Sequence, residues 1–176
     1  LCSRNLTPQY KTDLIIRAFA ELVKKYPGIH LNILGDGPEK GNLTKLVNEQ
    51  NLNKKVTFHG HIDHDKIFAF YESSHLYVTA SPTDGLSISL LEALAGGLLA
   101  VVPENPSNAE LKSMGFDLLL YDIANMEKLV DHLSDAINTI SNQEYSSMNN
   151  RKLVKAHFDR TQNMKIIENI YRTYSL

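Results

Sequence analysis

Short apolar runs alternate with longer amphipathic segments along most of this chain. The short runs predict buried strands at Ile29–Leu34, Val56–His59, Leu76–Ala80, Leu99–Val102 and Leu118–Tyr121, with a strand tail in Leu1-Cys2-Ser3. The periodic segments predict helices at Thr12–Tyr26, Glu39–Glu49, Asp65–Ser74, Ser87–Ala95, Met126–Ile140, Gln143–His157 and Thr161–Tyr174. Strands that alternate with helices indicate βαβ units, so we predict an α/β fold: a parallel sheet with helices on both faces.

Turn and capping residues place some boundaries more closely. Pro27-Gly28 is expected to end the first helix, and Asp63 is expected to cap the helix that follows the third strand. Ser87 is expected to cap the helix over Ser87–Ala95. Ser107 or Asn108 is expected to cap a short helix over Ala109–Met114, and a ligand contact from this loop is also open.

Composition narrows the class of protein. The 176 residues, 43% of them hydrophobic and 22% charged, are typical of a single globular domain with a sizeable core, and no apolar run approaches the roughly 20 residues that span a bilayer. The net charge of −2 gives no reason to expect a nucleic-acid partner. The one cysteine, Cys2, is predicted to be a buried strand residue and fits a reducing cytoplasm.

Because the chain starts at Leu1 within a strand tail, we expect it to be a fragment of a longer protein.

The segment Ser81–Val102 carries the strongest chemical signal. An apolar strand leads into a turn that holds Asp84, and a nearly wholly apolar helix follows with one carboxylate, Glu92, inside it. Such a helix is expected to be buried, and a charge within it is costly unless a partner is present. The helix also begins at the carboxyl end of a strand, where exposed amides bind anions. Two acceptors beside an anion site suit a ligand with phosphates and hydroxyls, such as a nucleotide sugar.

Two further loops at strand carboxyl ends hold candidate phosphate-binding groups. Arg4 and Lys11 flank the first loop, and both a phosphate-binding role and a role as solvated surface cations are open. The second loop contains Gly35 and Gly37 in the run Gly-Asp-Gly-Pro, which is not a dinucleotide or P-loop fingerprint. A tight turn explains this run more simply than a phosphate loop does.

The run Phe58-His59-Gly60-His61-Ile62 follows the third strand. Gly60 leaves room for a flat base against the backbone, and Ile62 offers an amide and a carbonyl to its edge. The two histidines do not predict a metal site, because Gly60 is expected to interrupt the strand and no third ligand has zinc spacing.

Together these motifs resemble the nucleotide-binding carboxyl-terminal domain of GT-B glycosyltransferases, specifically the retaining family 4. The segments that carry the resemblance occur in family order: SRNLTPQYKTDLIIRAF, LNILGDGPEK, KKVTFHGHI, LYVTASPTDGLSISLLEALAGG and a helical tail. The resemblance covers essentially the whole chain and implies a Rossmann-like half of a GT-B fold, a single domain over residues 1–176.

The resemblance also implies roles for individual residues. Arg4 and Lys11 match the pair that holds the donor diphosphate, Glu92 matches the ribose-binding carboxylate, and Asp84 matches the position that contacts the donor sugar. Asp84 stands where Glu is usual, so its carboxylate reaches one methylene less far. The residues predicted to act in catalysis are Arg4, Lys11 and Asp84, and those predicted to bind the donor are Gly35, Gly37, Ile62, Gly85, Leu86, Ser87 and Glu92.

The resemblance implies a retaining, metal-independent transfer of a sugar from a nucleoside-diphosphate sugar, with no cofactor. The acceptor would be a glycan, lipid or small molecule bound by a missing amino-terminal domain, and any peripheral membrane contact would come through that missing part. Polysaccharide or glycolipid synthesis in the cytoplasm is the expected setting, and the isolated domain is expected to be inactive. Two alternatives remain open: a domain that binds nucleotide or glycan without catalysis, and half of a sugar-nucleotide epimerase.

Overall fold

The computed structural model describes residues 1–174, apart from the side chains at positions 166 and 170–174. Its strands are β1 (Cys2–Ser3), β2 (Leu31–Leu34), β3 (Val56–Gly60), β4 (Leu76–Val78), β5 (Leu99–Pro103) and β6 (Leu118–Tyr121). Its helices are α1 (Thr12–Lys25), α2 (Lys40–Glu49), α3 (His64–Glu72), α4 (Ile88–Ala95), α5 (Pro106–Ser113), α6 (Met126–Ser141), α7 (Ser147–Phe158) and α8 (Arg160–Tyr174), with a 3-10 turn at Pro8–Tyr10. The predicted α/β alternation is confirmed, with most boundaries within one or two residues.

The strands form two parallel three-stranded sheets, β1-β2-β3 and β4-β5-β6. Two main-chain hydrogen bonds through Leu1 join their edges: its nitrogen donates to Leu76 O at 2.8 Å, and Val78 N donates to Leu1 O at 2.9 Å. The strands therefore lie in the order β3-β2-β1-β4-β5-β6. In this order the chain winds in opposite directions from β1 and β4, and a crevice opens at their carboxyl ends.

The core lies on both faces of the sheet, as the strand pattern requires. Val101 of β5 packs in a cluster with side chains of α1, α2 and α6, whereas its neighbours Ala100 and Val102 pack in a second cluster with side chains of α3, α4 and α5. Successive residues of a strand point to opposite faces of the sheet. A strand that is wholly apolar therefore needs helices packed on both faces. Cys2 is fully buried in the first cluster, as predicted, and burial raises the pKa of its thiol to about 11.

Helix α5 begins earlier than the sequence predicted. Its N-cap is Asn105, whose Oδ1 accepts from Asn108 N at 2.9 Å, and Pro106 is the first helical residue. Proline fits that position because its fixed φ suits the first turn and its missing N–H would have no partner there. The prediction of Ser107 or Asn108 as the cap, with a helix over Ala109–Met114, is wrong for this reason.

Two other local predictions need correction. Gly60 does not interrupt β3 but is its last residue, with a φ of +71° at a shift of register, where Gly35 N donates to Gly60 O at 2.7 Å. Asp63 is the N-cap of α3, but its carboxylate receives no capping bond and instead accepts from Lys66 Nζ at 2.6 Å.

Helix α7 packs against the outer side of α4. Arg151 Nη2 donates to Gly96 O at 2.6 Å, and Asn150 Nδ2 donates to Leu98 O at 3.3 Å. The carbonyl of the C-cap Gly96 and the carbonyl just before β5 thereby obtain side-chain partners, which fixes the end of α4 against the sheet. Among the helices in the described part of the chain, none combines the length and hydrophobicity needed to cross a membrane.

The loop after β1 is held against the loop after β2. Arg4 N donates to Leu34 O at 3.0 Å and Leu6 N donates to Asp36 O at 2.9 Å. A Cβ at Gly35, where φ is +119°, would lie 2.1 Å from Arg4 O, and a Cβ at Gly37 would lie 2.4 Å from Leu6 O. Close packing of two loops thus accounts for both glycines, which agrees with the tight-turn interpretation.

Replacing Gly35 with alanine should destabilise the protein by about 1–3 kcal/mol, because the new Cβ meets backbone at a left-handed φ. Urea denaturation followed by circular dichroism measures this change. The matched control is Gly41→Ala in α2, where a Cβ meets nothing within 4 Å. That variant should be neutral or stabilised by up to about 1 kcal/mol. Equal stabilities for the two variants would contradict the packing role of Gly35.

Candidate functional site

A cleft of about 490 Å³ opens at the carboxyl ends of β1 and β4. Its lining residues are Ser3, Arg4, Asn5, Tyr10, Leu34, Gly35, His61, Ile62, Ile67, Asp84, Leu86, Ser87, Ile88, Ser89 and Glu92. A second cavity, of about 510 Å³, lies at the opposite edge, and no acidic, lysine or arginine side chain is among its described lining residues. Charged groups from distant parts of the sequence converge only in the first of these two cavities, which we take as the candidate site.

Arg4 lies in this cleft, and its guanidinium contacts a carboxylate, a hydroxyl and an aromatic ring. Its Nη2 donates to the Asp84 carboxylate and to Ser87 Oγ, the latter at 2.5 Å. Its Cζ lies 5.3 Å from the ring centroid of Tyr10. The side chains of Arg4 and Asp84 are only 12% and 20% exposed, so solvent screens this ion pair weakly. The guanidinium is therefore held in place, with a carboxylate as its counter-ion.

Ser87 links Arg4 to the interior. Its Oγ accepts from Leu90 N at 3.3 Å, which confirms the predicted helix cap, and lies 3.2 Å from Ser89 Oγ. Ser89 in turn lies 3.1 Å from the hydroxyl of Tyr77, a residue that is fully buried in β4. Burial raises the pKa of Tyr77 to about 12. A row of neutral hydroxyls thus runs from the core to the guanidinium.

Glu92 lies in the middle of α4 with its side chain 24% exposed. Its Oε2 accepts from the Tyr71 hydroxyl at 3.1 Å, and its Oε1 lies 3.7 Å from Nδ1 of the exposed His64. The expectation that a carboxylate in this helix needs a partner is confirmed, although the helix is less buried than predicted. Ile88, at its first turn, is 73% exposed at the rim of the cleft.

Three predicted site residues, Lys11, Gly37 and Gly85, are not among the lining residues. Lys11 is exposed and follows Tyr10 with a left-handed φ of 44° as the N-cap of α1. Gly37 is half-buried and packs near Leu6, as described above. Gly85 is exposed in the turn between Asp84 and α4.

The segment after β3 and the first half of α3 contribute an apolar wall. Ile62 is half-buried and lines the cleft with Ile67 of α3. His59 and His61 do not act together: His59 Nε2 lies 2.9 Å from Asn32 Oδ1 and its ring stacks edge-on against Phe70, whereas His61 is exposed in the cleft. Burial lowers the pKa of His59, so its ring is neutral at neutral pH.

The sequence did not reveal four polar residues of the site: Tyr10, Tyr71, Tyr77 and Ser89. Tyr71 and Tyr77 were predicted only as members of a helix and a strand, and Tyr10 only as part of the loop between Arg4 and Lys11. Only Ser89 carried a signal, because a second serine two residues after the Ser87 cap breaks the apolar run of α4.

Comparison with known protein families shows to which family this chain belongs. A model of the family described as glycosyl transferases group 1 matches residues 1–153. The chain belongs to this family. It carries the family's glycosyltransferase domain, and the two sheets with helices on both faces match the GT-B members of known structure.

The relatives of this group 1 domain are longer proteins. An uncharacterized glycosyltransferase of Haemophilus influenzae is 33% identical over 130 residues, which cover 72% of this chain and 35% of the relative. The chain thus spans about a third of that relative's length.

Solved structures share the fold at low identity. A point mutant of S. aureus TarM, in complex with fondaparinux, alpha-GlcNAc-glycerol and UDP, matches with a TM-score of 0.85 and 18% identity over 97% of this chain and 34% of that one. The carboxyl-terminal domain of a group 1 glycosyl transferase, LpcC of Francisella tularensis, matches with a TM-score of 0.77 and 21% identity over 90% of this chain and 85% of that one. The second match shows the same architecture in a domain crystallised by itself.

Because the Asp84 carboxylate is already paired with the Arg4 guanidinium, it should compete with any anion that enters the cleft. Replacing Asp84 with asparagine is therefore expected to tighten binding of inorganic pyrophosphate by about 1 kcal/mol, roughly fivefold. Isothermal titration calorimetry measures this affinity. Asp131→Asn is the control, since Asp131 is 62% exposed on α6 and its removal changes the net charge equally. Unchanged or weaker binding in the Asp84 variant alone would exclude such competition.

Proposed function

We propose that this domain binds a nucleoside-diphosphate sugar as the donor half of a retaining glycosyltransferase. The observation that carries the proposal is the convergence of Arg4, Asp84 and Glu92 in one cleft at the crevice between β1 and β4. One cation and two carboxylates suit the three parts of such a donor: diphosphate, sugar and ribose. The UDP named in the TarM complex supports a nucleotide ligand for this fold.

The diphosphate is assigned to Arg4 and to the turn before α4. A guanidinium carries five N–H donors in a fixed fork, so Arg4 retains donors for phosphate oxygens beyond those on Nη2. The amides of Gly85, Leu86 and Ser87 lie at the amino end of α4, whose partial positive charge favours an anion. Lys11, the exposed N-cap of α1, adds a second positive charge.

The nucleoside is assigned to the other end of the cleft. Glu92 accepts hydrogen bonds from ribose hydroxyls, because a carboxylate offers acceptor sites on both oxygens. Ile62 and Ile67 supply an apolar surface for the base, and Gly35 lines the same cleft. Which base is bound depends on main-chain groups near Ile62.

In the proposed reaction the bond between the anomeric carbon of the sugar and the diphosphate oxygen breaks, and negative charge grows on the leaving nucleoside diphosphate. Arg4 and Lys11 stabilise that charge, with the amino end of α4 as a further positive group. When the diphosphate takes over Arg4, Asp84 is released to accept hydrogen bonds from the sugar and orient it. The acceptor attacks from a separate amino-terminal domain, so the domain alone is inactive.

The test is titration of the 176-residue chain with UDP, GDP and ADP by calorimetry, with and without a chelator. We expect at least one of the three to bind, with the same affinity in chelator. Failure of all three to bind would overturn the proposal. Loss of binding in chelator would overturn its metal-independent form.

Arg4→Ala should weaken the bound nucleoside diphosphate by about 1.5–3 kcal/mol and leave the matching nucleoside unaffected. Lys11→Ala should cost less, about 0.2–1 kcal/mol, because its charge is exposed. Arg17→Ala is the control, since Arg17 is a half-exposed cation on α1. Equal losses for nucleoside and diphosphate in the Arg4 variant would indicate damage to the loop instead of a phosphate contact.

A further inference from the structure

The hydroxyl of Tyr71 lies between Glu92 and the first strand. Tyr71 is at the end of α3 and fully buried, and its Oη is 3.1 Å from Glu92 Oε2 and 3.2 Å from Ser3 Oγ. Three separate elements, β1, α3 and α4, thus meet at one phenol at the back of the cleft. Neither the sequence motifs nor the proposed donor contacts include this residue.

The direction of these hydrogen bonds follows from the chemistry of the three groups. A phenol has one proton, and an ionised carboxylate accepts but cannot donate. The hydrogen bond to the charged acceptor is the stronger one, so the Tyr71 proton points to Glu92 and the Ser3 hydroxyl donates to Tyr71 Oη. Burial raises the pKa of Tyr71, which keeps the proton on the phenol throughout the pH range of an assay.

This arrangement leaves the two oxygens of Glu92 in different environments. Oε2 is held from the interior by Tyr71, whereas Oε1 faces exposed His64 near the cleft. With one oxygen fixed, the carboxylate plane has a defined orientation towards a ligand. Without Tyr71, the partly exposed side chain is free to change its terminal torsion, which is broad in glutamate.

The absence of a side chain at Gly96 allows Tyr71 to pack close to the end of α4. Gly96 follows the last residue of that helix, and a Cβ added there would lie 2.9 Å from Tyr71 Cβ and 3.2 Å from Leu98 Cδ1. A larger residue would push the ring away from the helix that carries Glu92. The close approach is therefore a property of the packing as well as of the hydrogen bond.

We propose that Tyr71 is a positioning residue that orients the Glu92 carboxylate for ribose hydroxyls and thereby sets the preference for ribonucleotides. This inference rests on the proposed function, because it takes Glu92 as the ribose acceptor. Tyr71 does not touch the ligand, and its effect is confined to ligands that carry the hydroxyls.

The experiment compares three ligands by calorimetry: the tightest binder among UDP, GDP and ADP, its 2′,3′-dideoxy analogue, and inorganic pyrophosphate. In Tyr71→Phe we expect the ratio of the two nucleotide affinities to fall about tenfold, with pyrophosphate unchanged. Glu92→Gln should reduce the same ratio at least as much. Tyr121→Phe is the matched control, since Tyr121 is a buried tyrosine whose hydroxyl donates to Thr79 O at 3.0 Å. In this variant the ratio of the two nucleotide affinities should not change.

The outcomes separate the inference from the function beneath it. A ratio that falls in Glu92→Gln but not in Tyr71→Phe overturns the positioning role and leaves the donor-binding proposal in place. Equal weakening of both nucleotides in Tyr71→Phe identifies a packing residue only and also overturns it. A ratio unchanged in Glu92→Gln, or no binding of any of the three nucleotides, removes the ribose assignment and the inference with it.

Discussion

Strand β1 lies between β2 and β4, and this position decides where a ligand cleft can form. Its hydrogen bonds to β2 and, through Leu1, to β4 join two parallel sheets whose following helices wind away from each other. The loops after β1 and β4 therefore separate at their carboxyl ends and leave a crevice between them. Arg4 comes from the first of these loops and Asp84 from the second, so residues 80 positions apart face each other. Every proposed contact with a donor depends on this one strand placement.

The Arg4–Asp84 pair gives the cleft its electrostatic character. An arginine this little exposed cannot be left without an anion at low cost, and Asp84 provides one from within the chain. The tyrosine ring and the serine hydroxyl complete its surroundings without adding charge. A ligand that replaces Asp84 at the guanidinium keeps the cation paired and frees the carboxylate for a second task. The same pair thus stabilises the cleft and prepares it for a diphosphate.

Helix α4 is mostly apolar but carries polar groups to the rim of the site. Each of these groups needs a hydrogen-bond partner where it meets the core. Its cap Ser87 continues through Ser89 to buried Tyr77, and Glu92 is held by Tyr71. Both tyrosines place a ring in the apolar core and a hydroxyl beside a functional side chain. The helix can therefore be fixed by packing on one side and by hydrogen bonds on the other, with α7 covering its end.

The sequence alone was sufficient for the α/β alternation, the burial of β5 on both faces, the cap at Ser87 and the grouping of Arg4, Asp84 and Glu92. These features follow from residue periodicity and local chemistry, or from motifs whose order along the chain is characteristic of a family. It did not locate the cap of α5, where Pro106 shifts the start to Asn105, nor the place of Gly60 at the end of β3. It also gave no indication that Arg4 binds Asp84 or that Tyr71 holds Glu92. Those contacts join residues 80 and 21 positions apart, and only the packing of strands and helices against each other brings their atoms within reach.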